Sequence, residues 1–299
     1  MSEQLGIDLW IKRDDLTGFA FGGNKGRKLE YLMASVVASG AQAVVTCGAA
    51  QSNFIRQLAA ACSVLDIKCG AAVMSMPFDV DPPSEKGKTI GANLVLDEIL
   101  GVDLHFYPDG TWDELYGLSE KLAVTYEASG LKTYRIPVGG SSPLGAYAFF
   151  EAAKEINQEF DAIVFASSSG STHTGLGFAY HGSKTRILGI ACDPEPEIAE
   201  EFAVIAAGLH DLLPDSPNWS AANYDLNFDF VGQGYGIPSK AGNQAIKQLA
   251  RAEGIFLDPI YSGKAFAALI NLATNGALTG RILFWHTGGL PALFATGSL

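Results

Sequence analysis

The residues most able to do chemistry come early in the chain. Gly22-Gly23-Asn24-Lys25-Gly26-Arg27-Lys28-Leu29-Glu30 sets a lysine where a glycine turn meets the start of an apolar-periodic run. Glycine tolerates positive φ and lets backbone approach a ligand closely. A lysine at such a junction loses its proton when it is desolvated or crowded by cations, here Arg27 and Lys28, and its neutral amine is then a nucleophile toward an aldehyde. A glycine loop with an ordinary solvated basic cluster accounts for the nonapeptide equally well, so the reading depends on the rest of the chain.

Amine attack on an aldehyde is the chemistry of a pyridoxal phosphate (PLP) Schiff base, and four loops at the ends of apparent strands bear on it. Ser167-Ser168-Ser169-Gly170-Ser171-Thr172 follows the apolar run Ala162–Ala166 and opens a helix. Backbone N–H groups at a helix start, with hydroxyls beside them, suit a phosphate monoester; a strand-to-helix turn with capping hydroxyls is the plainer alternative. The loop lacks the Gly-Lys-Ser/Thr ending of a nucleotide-binding P-loop and the spaced glycines of a dinucleotide fingerprint. Gln51-Ser52-Asn53 also starts a helix and would hold a carboxylate, or simply cap through Ser52. Tyr261-Ser262, after Asp258-Pro259, offers a phenol that can move protons and a hydroxyl that can bond a ring nitrogen, or else a core tyrosine and a cap. His286-Thr287-Gly288-Gly289 closes the last strand, as a site loop or as a turn.

The elements that must position these residues read as alternating strands and helices. Short apolar runs such as Ala43–Thr46, Lys68–Met74, Ile187–Cys192 and Arg281–Trp285 predict buried strands. Arg27–Ser39, Trp112–Ser129 and Lys240–Glu253 predict helices, with strands also expected at Asp103–Tyr107, Thr133–Pro137 and Asn227–Val231. Met76–Lys88, with its prolines and acids, reads as a surface loop. The pattern predicts an α/β fold with largely parallel sheets flanked by helices, and no linker divides the chain cleanly.

Bulk properties narrow the partners. The 299 residues are 48% hydrophobic and 17% charged, as in a compact enzyme. A net charge of −12 argues against nucleic acid or an anionic membrane. No stretch approaches about 18 uninterrupted apolar residues, and Met1-Ser2-Glu3-Gln4 lacks a signal pattern, so a cytoplasmic protein is expected. Cys47, Cys62, Cys69 and Cys192 have no metal-ligand spacing and read as buried structural thiols; the five histidines are dispersed, and no metal is expected.

Taken in order and spacing, these segments resemble the D-cysteine desulfhydrase and 1-aminocyclopropane-1-carboxylate (ACC) deaminase family, PLP enzymes of fold type II similar to the tryptophan synthase β subunit. The resemblance rests on Ile11–Leu16, Gly22–Glu30, Gln51-Ser52-Asn53 with Arg56-Gln57, Gly139-Gly140-Ser141, Ser169–Gly175, Gly234-Tyr235-Gly236, Leu257–Lys264 and His286–Pro291. It implies two lobes, a small one over residues 29–137 and a large one combining 1–28 with 138–299, and a homodimer. It implies Lys25 as the Schiff-base lysine, Asn53 as partner of the cofactor's phenolic oxygen, and Ser169, Gly170, Ser171 and Thr172 as the phosphate cup. Ser52 falls near the substrate carboxylate with a possible proton-transfer role, Tyr235 and Tyr261 at the active-site tyrosines, and Ser262 at the pyridine-nitrogen partner. Phe54 and Thr287 fall among the substrate contacts.

Ser262 and Thr287 also bear on substrate, because the deaminase branch resembles Glu and Leu there and the desulfhydrase branch hydroxyl residues. A hydroxyl can donate to an unprotonated ring nitrogen and leaves a weaker electron sink, adequate for expelling a thiol. The implied activity is β-elimination from a small amino acid, D-cysteine first, giving pyruvate, hydrogen sulfide and ammonia. ACC deamination, elimination from cysteate or β-chloroalanine, racemisation, and a silent protein that binds PLP or an amino acid are the alternatives. Phe54 departs from the family's polar or histidine residue, Ser168 and Ser171 from its loop glycines. Relatives carry a further segment before the Ile11 strand, so a shortened or divergent N-terminus is expected.

Overall fold

The computed structural model describes residues 1–75, 91–195 and 197–295; the expected loop Met76–Lys88 lies outside them. In chain order the elements are α1 Ser2–Leu5, β1 Asp8–Arg13, α2 Asn24–Ser39, β2 Ala43–Ala49, α3 Asn53–Val64, β3 Lys68–Met74, α4 Asn93–Ile99, β4 Asp103–Phe106, α5 Trp112–Ala128, β5 Thr133–Arg135, α6 Pro143–Ala152, β6 Ala162–Ser167, α7 Ser171–Ala179, β7 Arg186–Ala191, α8 Ile198–Leu212, β8 Asp225–Asn227, α9 Lys240–Glu253, α10 Ser262–Thr274 and β9 Arg281–His286. They form two parallel sheets, one ordered β1-β9-β6-β7-β8 and the other β4-β3-β2-β5.

Alternation along the strands explains why each sheet is covered on both faces. In the five-stranded sheet Ala162, Val164, Ile282 and Phe284 face a core shared with α9 and α10 residues such as Leu249 and Phe266. Their neighbours Ile163, Phe165, Leu283 and Trp285 face the other way, onto Phe149 of α6 and Leu176 of α7. The smaller sheet repeats the device: Val44 packs with Leu32 and Leu58 from α2 and α3, while Ala43 and Val45 meet Leu122 and Tyr126 of α5. Successive side chains of a strand point to opposite faces, so continuous apolar runs are what two-sided burial requires. All four cysteines are buried free thiols.

Two expectations shift. The helix placed at Arg27–Ser39 begins at Asn24, with Gly23 at its amino end at φ 115. The strand placed at Asn227–Val231 is instead Asp225–Asn227. The Asn227 side chain accepts the Asp229 N–H at 3.0 Å, an Asx turn that ends the strand.

Candidate active site

Both sheets are parallel, so the loops at their carboxyl ends share one cavity of about 670 Å³. Lys25 lies on its wall. The turn before it is fixed by close backbone contact: a Cβ on Gly22 would fall 2.1 Å from the Asp15 carbonyl oxygen, and one on Gly288 would fall 2.6 Å from the Gly23 Cα. Gly23 N–H donates to Asp14 O at 2.7 Å and Asn24 N–H to Thr287 O at 2.9 Å. Asp14, fully buried, accepts from Arg27 Nε and Nη2 at 2.8 Å each and from the Trp285 indole N–H at 2.8 Å. This anchors the first turn of α2 to the ends of β1 and β9.

The cation crowding expected from Arg27 is therefore not there, because Arg27 turns outward to Asp14 and Glu155. Lys28, one turn from Lys25 on the same face, is the neighbour. Both amines donate to Gly139 O, at 3.4 Å from Lys25 and 3.1 Å from Lys28. Burial lowers Lys25 to about 8 and carries Lys28 well below the usual lysine range, with the Lys25 charge adding to the effect. Two buried ammonium groups at one carbonyl repel, so the pair favours at least one neutral amine.

Asn53 opens α3, with Ser52 capping the helix by accepting the Ile55 N–H at 3.3 Å. The Asn53 Oδ1 is occupied twice, by Arg56 Nη1 at 2.8 Å and Asn93 Nδ2 at 3.1 Å. Its NH2 has no partner among the described residues, and the side chain lines the cavity. Asn93 is held by Gln51 and by Arg56, whose Nη1 donates to it at 2.6 Å. Burial draws Arg56 down to about 10 and pushes Asp97, behind it, up to about 8.

Opposite Lys25, Ser169, Gly170 and Thr172 line the cavity at the start of α7. That helix has no side-chain cap, so its first N–H groups lack an intrahelical or capping acceptor. Gly170, at φ 91, passes so close to Phe202 that a Cβ would meet its ring at 2.4 Å. Thr172 Oγ1 accepts from Asn24 Nδ2 at 3.2 Å. Ser171 differs from its neighbours: its side chain is buried and bonded to the Ser142 backbone, N–H to Oγ at 3.1 Å. Ser168 donates to Asp193 Oδ2 at 2.6 Å; burial raises that carboxyl to about 6 against this bond.

Tyr235 and Tyr261 meet on the cavity wall with their hydroxyls 2.6 Å apart, and burial raises both phenols. Lys264 holds the Tyr235 loop by donating to Val231 O at 2.8 Å and Gly234 O at 2.9 Å. Thr287 also lines the cavity. Ser262 does not: it is fully buried, donates to the Asp258 carboxylate and accepts the Asp258 N–H at 2.9 Å. Its hydroxyl is bonded to Asp258 in this structure. Phe54 borders the cavity, yet its ring is 1% exposed among Leu29, Leu32 and Leu58 and beneath Gly140, so it backs the wall. Of the two cations expected beside Lys25, only Lys28 is there; sequence reasoning missed Asn93, Asp193 and Lys264, which join the site only through tertiary contacts.

A buried amine with a lowered pKa, an uncapped helix start beside hydroxyls, and an oriented amide N–H2 form the donor set of a site for a phosphorylated aldehyde with a phenolic oxygen. These residues fit pyridoxal phosphate. The two-sheet fold and this site define a PLP-dependent enzyme of fold type II. The comparisons agree: residues 1–288 match the family described as pyridoxal-phosphate dependent enzyme, and the chain belongs to it. It is 38% identical to the D-cysteine desulfhydrases of Salmonella newport (strain SL254) and Salmonella typhimurium over 307 aligned positions, 99% of this chain and 90% of theirs. A solved ACC deaminase homologue superposes with a TM-score of 0.87 at 33% identity, over 97% of this chain and 87% of that one. O-ureido-L-serine synthase, at 16% identity and a TM-score of 0.64 over 95% of this chain and 85% of that one, shares the fold.

Proposed function

We propose that this PLP-dependent enzyme is a carbon-sulfur lyase that eliminates the β-substituent of a small amino acid, D-cysteine first. The observation that carries the reading is the buried Lys25 amine, lowered to about 8, in a cavity that also holds the Ser52 hydroxyl and the Tyr235–Tyr261 pair; relatives named D-cysteine desulfhydrase match nearly the whole chain. Bound pyridoxal phosphate supplies the carbonyl that takes up the substrate amine and the conjugated ring that spreads the electron pair left at Cα. Lys25, whose proton burial makes easier to lose, takes the Cα proton. The start of α3, with the Ser52 hydroxyl, holds the substrate carboxylate. The Asn53 amide, fixed by Arg56 and Asn93, donates to the cofactor's phenolic oxygen. The start of α7, with Ser169 and Thr172, holds its phosphate. Tyr261, hydrogen-bonded to Tyr235, returns a proton to the departing side. With one water consumed, D-cysteine yields pyruvate, hydrogen sulfide and ammonia.

The same reading includes the lobe division at residues 29–137, a homodimer and a cytoplasmic location. Among the described residues no helix is long and apolar enough to cross a membrane. The test is keto-acid and sulfide release by the PLP-loaded protein with D-cysteine, L-cysteine, ACC and cysteate in parallel. A preference for D-cysteine supports the lyase. Deamination of ACC alone moves the chain to the deaminase activity, and a lysine-bound cofactor without turnover of any of the four leaves a binding protein.

A further inference from the structure

The charged groups on the cavity wall are unevenly signed, and the lyase reading leaves most of them unused. The cations are Lys25, reserved for the cofactor, and Arg56, committed to Asn53 and Asn93. The same wall carries the buried Asp193 and the exposed Asp113, Glu195, Glu197 and Glu201, which by their exposure mark its mouth. Asp193 is 9% exposed, on the turn that follows β7. The Ser168 hydroxyl fixes its Oδ2 at 2.6 Å, while its Oδ1 has no hydrogen-bond partner among the described residues. The groups that can neutralise an anion are already assigned: the start of α3 to the substrate carboxylate, and the start of α7 to the cofactor phosphate.

We infer that Asp193, held by Ser168 and backed by the acidic mouth, is a specificity-determining residue that bars amino acids with a second negative charge on the β-substituent and admits neutral or cationic ones. The inference rests on the amino-acid-lyase reading of the cavity. A carboxylate of the ligand facing a fixed carboxylate several ångströms away in a partly buried site is disfavoured about tenfold to a hundredfold. Sulfonated and dicarboxylic amino acids are accordingly poor ligands, and 2,3-diaminopropionate is better tolerated than cysteate.

D-Aspartate and D-asparagine test this, being nearly isosteric and differing by one charge, as do the two residues in Asp193→Asn. Their dissociation constants are read from the change in absorbance of the bound cofactor in the holoenzyme, without turnover. The expected result is a preference for D-asparagine of about tenfold or more that narrows at least fivefold in Asp193→Asn, with a smaller narrowing in Glu201→Gln. Equal affinity for the two ligands in the wild type, or a preference unchanged in a folded Asp193→Asn protein, overturns the inference. Should Asp193→Asn fail to fold, Asp193→Ser is measured in its place, and an unchanged preference in that folded protein overturns the inference. D-Cysteine turnover by the wild type is measured alongside: its absence counts against the lyase reading, while the ligand ratio still reports on Asp193.

Discussion

Replacing Gly288 by alanine isolates the contact that holds the Lys25 loop in place. Gly288 has φ 91, and an added Cβ would lie 2.6 Å from the Gly23 Cα and 3.3 Å from its nitrogen. Left-handed backbone costs an L-residue about 1–2 kcal/mol, partly offset by about 0.4–1 kcal/mol from a stiffer unfolded chain. The clash adds to this. Carbon atoms rest about 3.5–4 Å apart, so two backbone segments must part by roughly 1 Å, at about 1–3 kcal/mol for overpacking. Separation also loosens the 2.9 Å bond from Asn24 N–H to Thr287 O. The expected loss is about 2–4 kcal/mol, together with weaker cofactor binding, because the displaced turn carries Lys25. Gly6→Ala is the control: φ is 67 there and nothing lies within 4 Å, so only the backbone cost of about 1 kcal/mol applies. Urea unfolding of both variants, with PLP affinity from absorbance titration, reads the difference. Equal unfolding midpoints and unchanged PLP affinity in Gly288→Ala would refute the reasoning.

Three further outcomes are expected. The rate of PLP uptake by the cofactor-free protein rises with pH through a midpoint near 8 and then levels, because only the neutral Lys25 amine reacts and burial has lowered its pKa; a midpoint near that of a free lysine would contradict the desolvated setting. Asn93→Ala removes the 2.6 Å partner of Arg56 and one of the two donors fixing Asn53, at a cost of about 1.5–3 kcal/mol in urea stability and with weaker PLP binding; full retention of both properties would count against the network. Tyr261→Phe keeps the ring and deletes the hydroxyl bonded to Tyr235, so kcat with D-cysteine falls about 100-fold or more while the unfolding midpoint stays close to wild type; an unaltered kcat would remove Tyr261 from proton transfer.

The sequence alone carried the fold class, because strands buried on both faces must be continuous apolar runs and the helices between them must show their period. It also located the lysine loop, the Ser52 cap and the serine loop, since each is a local signal: a glycine turn, a capping hydroxyl, a helix start after a strand. Which side chains face the cavity was settled by tertiary structure. A helix that starts at Asn24 sets Lys25 and Lys28 one turn apart on the same face and sends Arg27 toward Asp14 and Glu155, so of the two cations the sequence offers only Lys28 crowds Lys25. Ser171 and Ser262 carry the expected hydroxyls, but Ser142 and Asp258 claim them. Asn93 and Asp193 gave no local signal, because each is tied into the site by a partner distant in the chain, Asn53 for one and Ser168 for the other. Residue type and spacing record what a segment can do by itself; the direction of a buried polar side chain is fixed by the partner that satisfies it, and that partner comes from wherever the packed sheets bring the chain together.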